Sequence, residues 1–291
     1  MLFVLNPRSG KGKIKNKLLE IIDIFVKNGW EVTVHTTQDA KDAFRAVHYR
    51  GSVFDRIVVS GGDGTLNEVI RGIMSLDTVS KPSLGYIPAG TVNDFAANLN
   101  LSKNMITAAE KICSGEEFRC DIGTFNRRNF VYVAAFGVFT NVSYETPQQN
   151  KNMLGNFAYF LEGVKQLSSV KSYRMKVLHG DEELEGDFVL GMVANSNHVA
   201  GMKTRAFKAQ LNDGLFEVLL IKRPKTIFEL NDIVSHLAMQ DLNSELMISF
   251  RTDKVRFLTE EPVNWTLDGE FGGTTDCADV KVEKEAVTII L

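Results

Sequence analysis

The first 120 or so residues alternate short apolar runs with amphipathic segments. Four runs have the composition of buried strands, and they are Leu2–Leu5, 31–37, Ile57–Val59 and 83–88. Between the first two runs, Ile14, Leu18 and Ile21 recur at helical spacing. Asp39 is predicted to cap a helix that runs towards Gly51. This alternation predicts a parallel sheet with helices on both of its faces.

The pattern changes near Asp121. Strand-like runs then follow one another, at 129–137, 172–180, 185–196, 214–223, 253–259, 264–270 and 279–291, the last of which is predicted as a hairpin. Helical patterns interrupt them at 152–168 and 225–239. We therefore predict an α/β fold of two domains. An open parallel-sheet domain spans residues 1–121, a mainly antiparallel β domain spans 122–291, and a cleft lies between them.

Composition narrows the class of protein. Of 291 residues, 44% are hydrophobic and 24% are charged, as in globular proteins. The net charge of -3 excludes a global basic field that would attract nucleic acid. Three cysteines form no metal-binding pattern and favour a reducing cytoplasm. We expect no signal peptide, since the start lacks a charged region before its apolar run, and no apolar run approaches the roughly 20 residues of a membrane span.

The junction "GGDGT" follows the third apolar run. Gly61, Gly62 and Gly64 permit positive φ and let backbone N–H groups approach an anion, and a helix that begins near Thr65 would point its positive end at the same place. Asp63 would repel a phosphate, so we expect it to hold magnesium, directly or through water, or to bind a nucleotide hydroxyl. By itself, the pentapeptide also fits a tight strand-to-helix turn.

Two further loops leave strands of the same predicted sheet. "NPRSGKGK" follows the first strand and "PAGTVNDFA" follows the fourth. They supply small hydrogen-bonding groups, namely Asn6, Ser9, Gly10, Gly90, Thr91 and Asn93. In an open parallel sheet, ligands bind beyond the carboxyl ends of the strands. Three such loops at one edge therefore predict a nucleotide site.

The motifs "NPRSG", "GGDGTLNEV" and "PAGTVNDFA", in this order and spacing, resemble the catalytic domain of the diacylglycerol kinase family, which includes the sphingosine kinases. "LNDGLFEV" and "LDGE" continue the resemblance, and "VSYETP" and "FAYFLEG" are similar to the soluble bacterial diacylglycerol kinases. The resemblance spans nearly the whole chain. It implies an α/β nucleotide domain, a β-rich domain and an active site in the cleft between them.

The resemblance also implies which residues bind ATP. These are Asn6, Pro7, Arg8, Ser9, Gly10, Thr37, Gly61, Gly62, Asp63, Gly64, Thr65, Leu66, Asn67, Glu68 and Thr91. Thr37 ends the second predicted strand, so the strand pattern independently places it at the same edge of the sheet.

Two acidic turns of the second half complete the predicted site. The resemblance makes Glu270 the acceptor of the substrate's hydroxyl proton, with Asp268 orienting or activating that hydroxyl. By itself, "LDGE" also fits a solvated Asp-Gly turn. The resemblance further implies a structural magnesium ion, bound by the Asp213 carboxylate and by backbone oxygens of Gln210 and Leu215.

We therefore expect an ATP-dependent lipid kinase that converts diacylglycerol to phosphatidate. The alternatives are a kinase for another lipid alcohol, such as a sphingoid base or a glycolipid, NAD kinase, which the "GTVNDFA" context disfavours, and a regulator that binds ATP without turnover. We expect a cytoplasmic protein that binds anionic membrane surfaces peripherally, and the resemblance implies a homodimer. The basic residues Arg8, Lys11, Lys13, Lys15 and Lys17 would contact phosphates or lipid headgroups, or simply form a solvated helix face.

Overall fold

The computed structural model describes residues 1–91, 93–137, 171–195, 198–199, 202–203, 210–239 and 241–291. The chain forms two compact units. Unit 1 comprises Met1–Asp121 and Glu285–Leu291, and unit 2 comprises Ile122–Lys284. The final residues, which the sequence pattern assigns to the second domain, thus belong to unit 1. The predicted helix at 152–168 and the motifs "VSYETP" and "FAYFLEG" lie outside the described residues.

Unit 1 is built on parallel strands in the order β4-β3-β1-β2. Their bounds are β1 Leu2–Leu5, β2 Thr33–Thr36, β3 Arg56–Gly61 and β4 Ser83–Pro88. Every side chain of β1 is buried, as its uninterrupted apolar run predicts. The register pairs Leu5 with Ser60, and Gly61 with Pro88. The segments that follow β1, β3 and β4 therefore begin next to one another.

The described residues of unit 1 form five α-helices. Their bounds are α1 Leu18–Lys27, α2 Asp42–Arg50, α3 Asp63–Met74, α4 Asp94–Asn98 and α5 Met105–Ser114. Short 3₁₀ segments occupy Ser9–Asn16 and Gly51–Val53. Phe25 of α1 and Ile112 of α5 share a buried cluster with Phe3 of β1. The apolar stripes of these two helices therefore cover one region of the sheet.

The predicted cap of α2 is wrong. Lys41 occupies the N-cap position, and Asp39 forms an ion pair with Arg45 at 2.5 Å. Glu68 of α3 caps the helix, because its carboxylate accepts the N–H groups of Lys41 at 2.8 Å and Ala43 at 3.2 Å. A carboxylate from a neighbouring helix thus replaces the local side chain.

Unit 2 consists mainly of antiparallel strands. Two strands join the units along the chain, namely β5 Glu117–Phe125 and β15 Glu270–Ile290. The others described are β6 Arg128–Phe130, β7 Val133–Gly137, β8 Tyr173–His179, β9 Glu182–Ala194, β10 His198–Val199, β11 Met202–Lys203, β12 Phe216–Lys222, β13 Met247–Thr252 and β14 Lys254–Leu267. Helix α6, Ile227–Met239, confirms the helical pattern at 225–239.

The core of unit 2 is aromatic. Phe136 and Phe257 lie edge-to-face against the buried Trp265, with ring centroids 4.9 and 5.1 Å away. Strand β14 is continuous where two strands were predicted, and a register shift between Leu258 and Val263 accommodates the polar residues between them.

The hairpin predicted at 279–291 is wrong. The polar residues 283–285 have the composition of a turn, and Glu285 has a φ of 50°. The chain nevertheless continues as β15, and Ile289 pairs in parallel with Leu84 of β4. Within the described part of the chain, no helix is long and apolar enough to cross a membrane.

Candidate active site

Asn6 joins the loop after β1 to the loop after β3. Its backbone N–H donates to the carbonyl of Ser60 at 2.9 Å, and its Nδ2 donates to Thr65 Oγ1 at 3.1 Å. Its Oδ1 accepts the N–H of Arg8 at 2.9 Å, which starts the turn of the first loop. One amide side chain therefore holds two of the three predicted phosphate loops.

The first loop also contacts the other two loops directly. The N–H of Gly62 donates to Ser9 Oγ at 3.3 Å. Gly10 has a φ of 54°, and a Cβ there would lie 2.0 Å from the carbonyl oxygen of Ala89. A side chain at position 10 would therefore push apart the loops that follow β1 and β4.

The glycines of "GGDGT" do not adopt positive φ, and two of them lie where a neighbouring residue approaches closely. None of the three has a φ in the left-handed region, which corrects the sequence expectation. A Cβ at Gly61 would lie 2.6 Å from Thr65 Cβ, and a Cβ at Gly90 would lie 2.5 Å from Gly62 Cα. Gly64 is different, because it is exposed and a Cβ there would have no neighbour within 4 Å. Two backbones meet at Gly62 and Gly90, and Gly64 leaves open space at the start of α3.

Asn93 is the centre of a buried hydrogen-bond network. It has a φ of 57°, and its Oδ1 accepts the N–H of Gly90 at 2.9 Å. Its backbone N–H donates to Asp63 Oδ2 at 3.1 Å. The hydroxyl of Tyr86 lies 3.2 Å from both Asn93 Oδ1 and the carbonyl oxygen of Gly61. Burial, aided by the charges of Asp63 and Asp94, raises the pKa of Tyr86, so the hydroxyl remains a neutral donor.

The start of α3 lies beside this network, since Asp63 accepts the N–H of Asn93. The helix begins at Asp63, earlier than predicted, with Gly62 at the N-cap position. The first N–H groups of a helix have no partner within the helix and carry its positive end. A phosphate group can therefore approach past Gly64 without meeting a side chain at that position.

The remaining predicted nucleotide residues have diverse positions. Thr37 follows β2, and its N–H donates to the carbonyl of Leu5 at 2.9 Å. Leu66 has a fully buried side chain, and its N–H donates to Gly62 O at 3.0 Å. Pro7 and Asn67 are half-buried, whereas Arg8 and Thr91 are exposed.

The sequence patterns did not predict a role for Tyr86. A tyrosine in a buried strand nevertheless indicates a hydroxyl that needs a hydrogen-bond partner.

In unit 2, "LDGE" forms a two-residue hairpin turn. Asp268 and Gly269 have φ values of 51° and 84°, and Leu267 pairs with Glu270 across the turn. Asp-Gly is a favoured sequence for such a turn, because both central residues need positive φ. The turn presents Glu270 as an exposed side chain. Among the described residues, its carboxylate has no hydrogen bond or ion pair, so it is open to solvent or substrate.

Asp268 faces the backbone of its own unit. Its carboxylate accepts three N–H groups, from Val131 at 2.7 Å, Tyr132 at 2.8 Å and Val133 at 3.0 Å. Burial nevertheless raises the pKa of Asp268 to about 6, because desolvation outweighs these bonds and the charge of Glu270 acts in the same direction. The carboxylate therefore anchors the turn that carries Glu270.

The predicted metal residues do not form a metal site with the donors described. Asp213 Oδ1 accepts the N–H of Leu215 at 3.0 Å, and Oδ2 forms an ion pair with Arg251. Gln210 is exposed. In the described ranges no group of three or more His, Cys, Asp or Glu residues could hold a metal ion. A guanidinium already neutralises the one carboxylate of the predicted set, so these residues do not fit magnesium as arranged.

Comparison with known proteins defines the class as lipid kinase-like. Residues 1–125 match the family model of the diacylglycerol kinase catalytic domain. Residues 133–291 match that of the YegS C-terminal NAD kinase beta sandwich-like domain. A crystal structure of a diacylglycerol kinase from Bacillus anthracis str. Sterne has a TM-score of 0.77 to this chain at 22% sequence identity, covering 99% of this chain and 95% of that one. This likeness shows a shared α/β fold with a C-terminal β domain.

The curated relatives are more similar in sequence. The diacylglycerol kinase of Bacillus subtilis (strain 168) is 32% identical over 272 residues, which is 93% of this chain and 89% of the relative. The diacylglycerol kinase of Staphylococcus saprophyticus is 34% identical over 274 residues, with 93% and 88% covered. The chain belongs to the diacylglycerol kinase family, which confirms the resemblance carried by its motifs.

We expect Asp268→Asn to change the pH dependence of stability. Because the pKa of Asp268 is raised to about 6 in the folded chain, the folded state binds this proton more tightly than the unfolded state does. That contribution to the free energy of unfolding is present in acid and is lost as the pH rises through the folded pKa. The free energy of unfolding of the wild type minus that of the variant should therefore be greater near about pH 4 than near about pH 7.

Urea unfolding at several pH values measures this difference. Asp276→Asn, which removes an exposed carboxylate from β15, shows the effect of losing one negative charge alone. A difference between wild type and Asp268→Asn that stays constant over this pH range would contradict the assignment.

Proposed function

We propose that this protein is an ATP-dependent lipid kinase that phosphorylates the free hydroxyl of diacylglycerol to give phosphatidate. The observation that carries the proposal is the assembly of the three glycine loops. Asn6, Ser9 and Asn93 tie these loops together around the N-terminus of α3. Relatives of this chain named diacylglycerol kinase, each covering 93% of it, support a lipid alcohol as the acceptor.

The parallel sheet of unit 1 is, in this proposal, an open nucleotide-binding sheet. The phosphates of ATP bind at the first turn of α3, next to Gly64 and the loop of Ser9 and Gly10. Thr37 and Thr91 provide hydroxyl groups near the ends of their strands. Glu68 and Leu66 contribute by shaping the loop, since one caps α2 and the other packs in the core. Asp63 acts through Asn93, whose N–H it accepts.

Glu270 is the proposed proton acceptor. The hydroxyl oxygen of the lipid attacks the γ-phosphorus, the bond from that phosphorus to the ADP oxygen breaks, and the hydroxyl proton passes to the Glu270 carboxylate. Asp268 is a positioning residue, because its bonds to residues 131–133 fix the turn that carries Glu270. Magnesium that arrives with ATP supplies charge neutralisation for the phosphates.

Peripheral binding to an anionic membrane surface follows from the insoluble substrate. Lys13 ends the first loop and Lys15 follows it. Both side chains are exposed, whereas Lys17 forms an ion pair with Glu20 at 2.9 Å. We assign Lys13 and Lys15 to the lipid headgroups, since Lys17 is already partly neutralised.

The family resemblance also implies a homodimer. Light scattering of the purified chain measures its molar mass and so tests this oligomeric state.

Gly64→Ala should weaken ATP binding without weakening the fold. The new methyl group has no protein neighbour within 4 Å, and alanine is a better helix former than glycine, so the free energy of unfolding should stay equal or rise slightly. The methyl group would, however, stand where the phosphates approach. Isothermal titration with ATP and magnesium measures the affinity.

Gly90→Ala is the contrasting variant. Its methyl group would lie 2.5 Å from Gly62 Cα, so stability and ATP binding should fall together. Unchanged ATP affinity in Gly64→Ala would move the phosphates away from α3.

Glu270→Gln should lower the rate of phosphoryl transfer by about 100-fold or more, because general-base catalysis contributes at least this much. ATP affinity should remain unchanged, since Glu270 does not bind the nucleotide in this proposal. The matched control is Glu283→Gln, which removes another exposed carboxylate from β15.

The assay measures transfer of labelled γ-phosphate from magnesium-ATP to a panel of lipids in mixed micelles. The panel contains diacylglycerol, a sphingoid base and a glycolipid. Label on a lipid other than diacylglycerol would replace the substrate and keep the mechanism. ATP binding with no labelled lipid would make the protein a nucleotide-responsive regulator, and full activity of Glu270→Gln would remove this residue from catalysis.

The double variant Lys13→Gln with Lys15→Gln should bind anionic vesicles more weakly, because each basic residue near the surface contributes about 1 kcal/mol. Sedimentation with vesicles of phosphatidylglycerol and phosphatidylcholine measures the bound fraction. The control double variant, Lys103→Gln with Lys111→Gln, changes the net charge equally at exposed positions of the same unit. Equal binding of both double variants would place the membrane contact elsewhere.

A further inference from the structure

The turn before β12 contains an unusual ion pair. Asp213 is the carboxylate that the family resemblance assigns to magnesium, yet its Oδ2 contacts the Nη2 of Arg251. Its other oxygen, Oδ1, accepts the N–H of Leu215 at 3.0 Å. The guanidinium thus stands at the oxygen that a cation would bind.

Arg251 holds a second carboxylate at the same time. In the antiparallel register of β12 and β13, Glu217 lies directly opposite Arg251. The Nε of Arg251 lies 3.0 Å from Glu217 Oε1, and Glu217 is only 7% exposed. Because adjacent nitrogens of one planar guanidinium contact both carboxylates, Asp213 and Glu217 share the guanidinium of Arg251. A buried carboxylate requires such a partner.

Lys284 contributes a second positive charge. A Cβ on Gly214 would lie 2.8 Å from Lys284 Nζ, so the ammonium group packs against the backbone of the turn. A second cation therefore lies close to the turn that carries Asp213. Positive charge at this turn opposes the approach of a divalent cation.

We propose that Arg251 takes the place of a structural divalent cation in this chain. Its guanidinium ties the turn at Asp213 to strand β13 and neutralises the buried Glu217. Unit 2 therefore keeps its structure without magnesium. In the absence of nucleotide, the chain has no need of the metal. This inference goes beyond the proposed lipid kinase activity and does not depend on it.

The first test uses the wild-type protein without nucleotide. We expect its melting temperature to change by less than about 1 °C between excess EDTA and about 5 mM magnesium chloride at matched ionic strength, since a ligand stabilises only a state that binds it. Calorimetric titration with magnesium chloride should show no binding. A stabilisation by magnesium that Asp213→Asn abolishes would overturn the proposal and establish the metal site instead.

The second test removes the internal cation. Arg251→Met leaves two carboxylates close together without their shared partner, so the melting temperature in EDTA should fall by about 5 °C or more. Magnesium should then restore part of the loss, because two adjacent carboxylates are suitable ligands for it. Adding Asp213→Asn to this variant should remove the response to magnesium.

The matched control is Arg174→Met. Arg174 also bridges two carboxylates across antiparallel strands of unit 2, with Glu185 at 2.6 Å and Asp187 at 3.8 Å, but both acids are exposed. We expect this variant to show no response to magnesium. An equal response of Arg251→Met and Arg174→Met would overturn the proposal. If Arg251→Met fails to fold, Arg251→Gln replaces it because it also removes the positive charge, and a magnesium response equal to that of wild type would likewise contradict the inference.

Discussion

The close approach of backbone segments at the ends of β1, β3 and β4 is the constraint on which unit 1 depends. Gly10 and Gly90 lie where a single Cβ would collide with a neighbouring main chain, and a Cβ at Gly62 would lie 3.3 Å from Gly90 Cα. The same approach brings polar backbone groups out of water, and the side chains of Asn6 and Asn93 pair with backbone groups of Arg8 and Gly90. The same residues therefore meet the steric and the hydrogen-bonding demands of the close approach, and they fix the loops around the N-terminus of α3, where we propose that phosphate binds.

Carboxylates divide into two roles in this protein. Asp268, Glu68 and Asp213 accept backbone N–H groups, so each one fixes a turn or a helix end. Glu270 is exposed at the first residue of β15, and it is the residue that we propose for proton transfer. Acidic motifs that look alike in sequence thus differ in how many hydrogen-bond donors surround each carboxylate. A carboxylate surrounded by N–H groups supports a site, and one without them can react.

Arg251 adds a further kind of role. A divalent cation and a guanidinium both neutralise adjacent carboxylates, but the guanidinium is part of the chain and has a fixed cross-strand position. A fold in which an arginine side chain neutralises these carboxylates does not require a bound metal ion for its stability. It also needs the β12–β13 register to be maintained, because a shift by one residue would turn Arg251 to the other face.

Local patterns in the sequence were sufficient to predict the strands of unit 1, to identify the family motifs and to predict the turn at Asp268 and Gly269. Buried runs and Asp-Gly turns depend on nearest neighbours, which the sequence itself displays. Tertiary structure alone decided that Glu68 caps α2, that β15 continues past Glu285, and that Arg251 reaches Asp213. These contacts join residues far apart in the chain, so their partners follow from packing and strand register rather than from any local pattern.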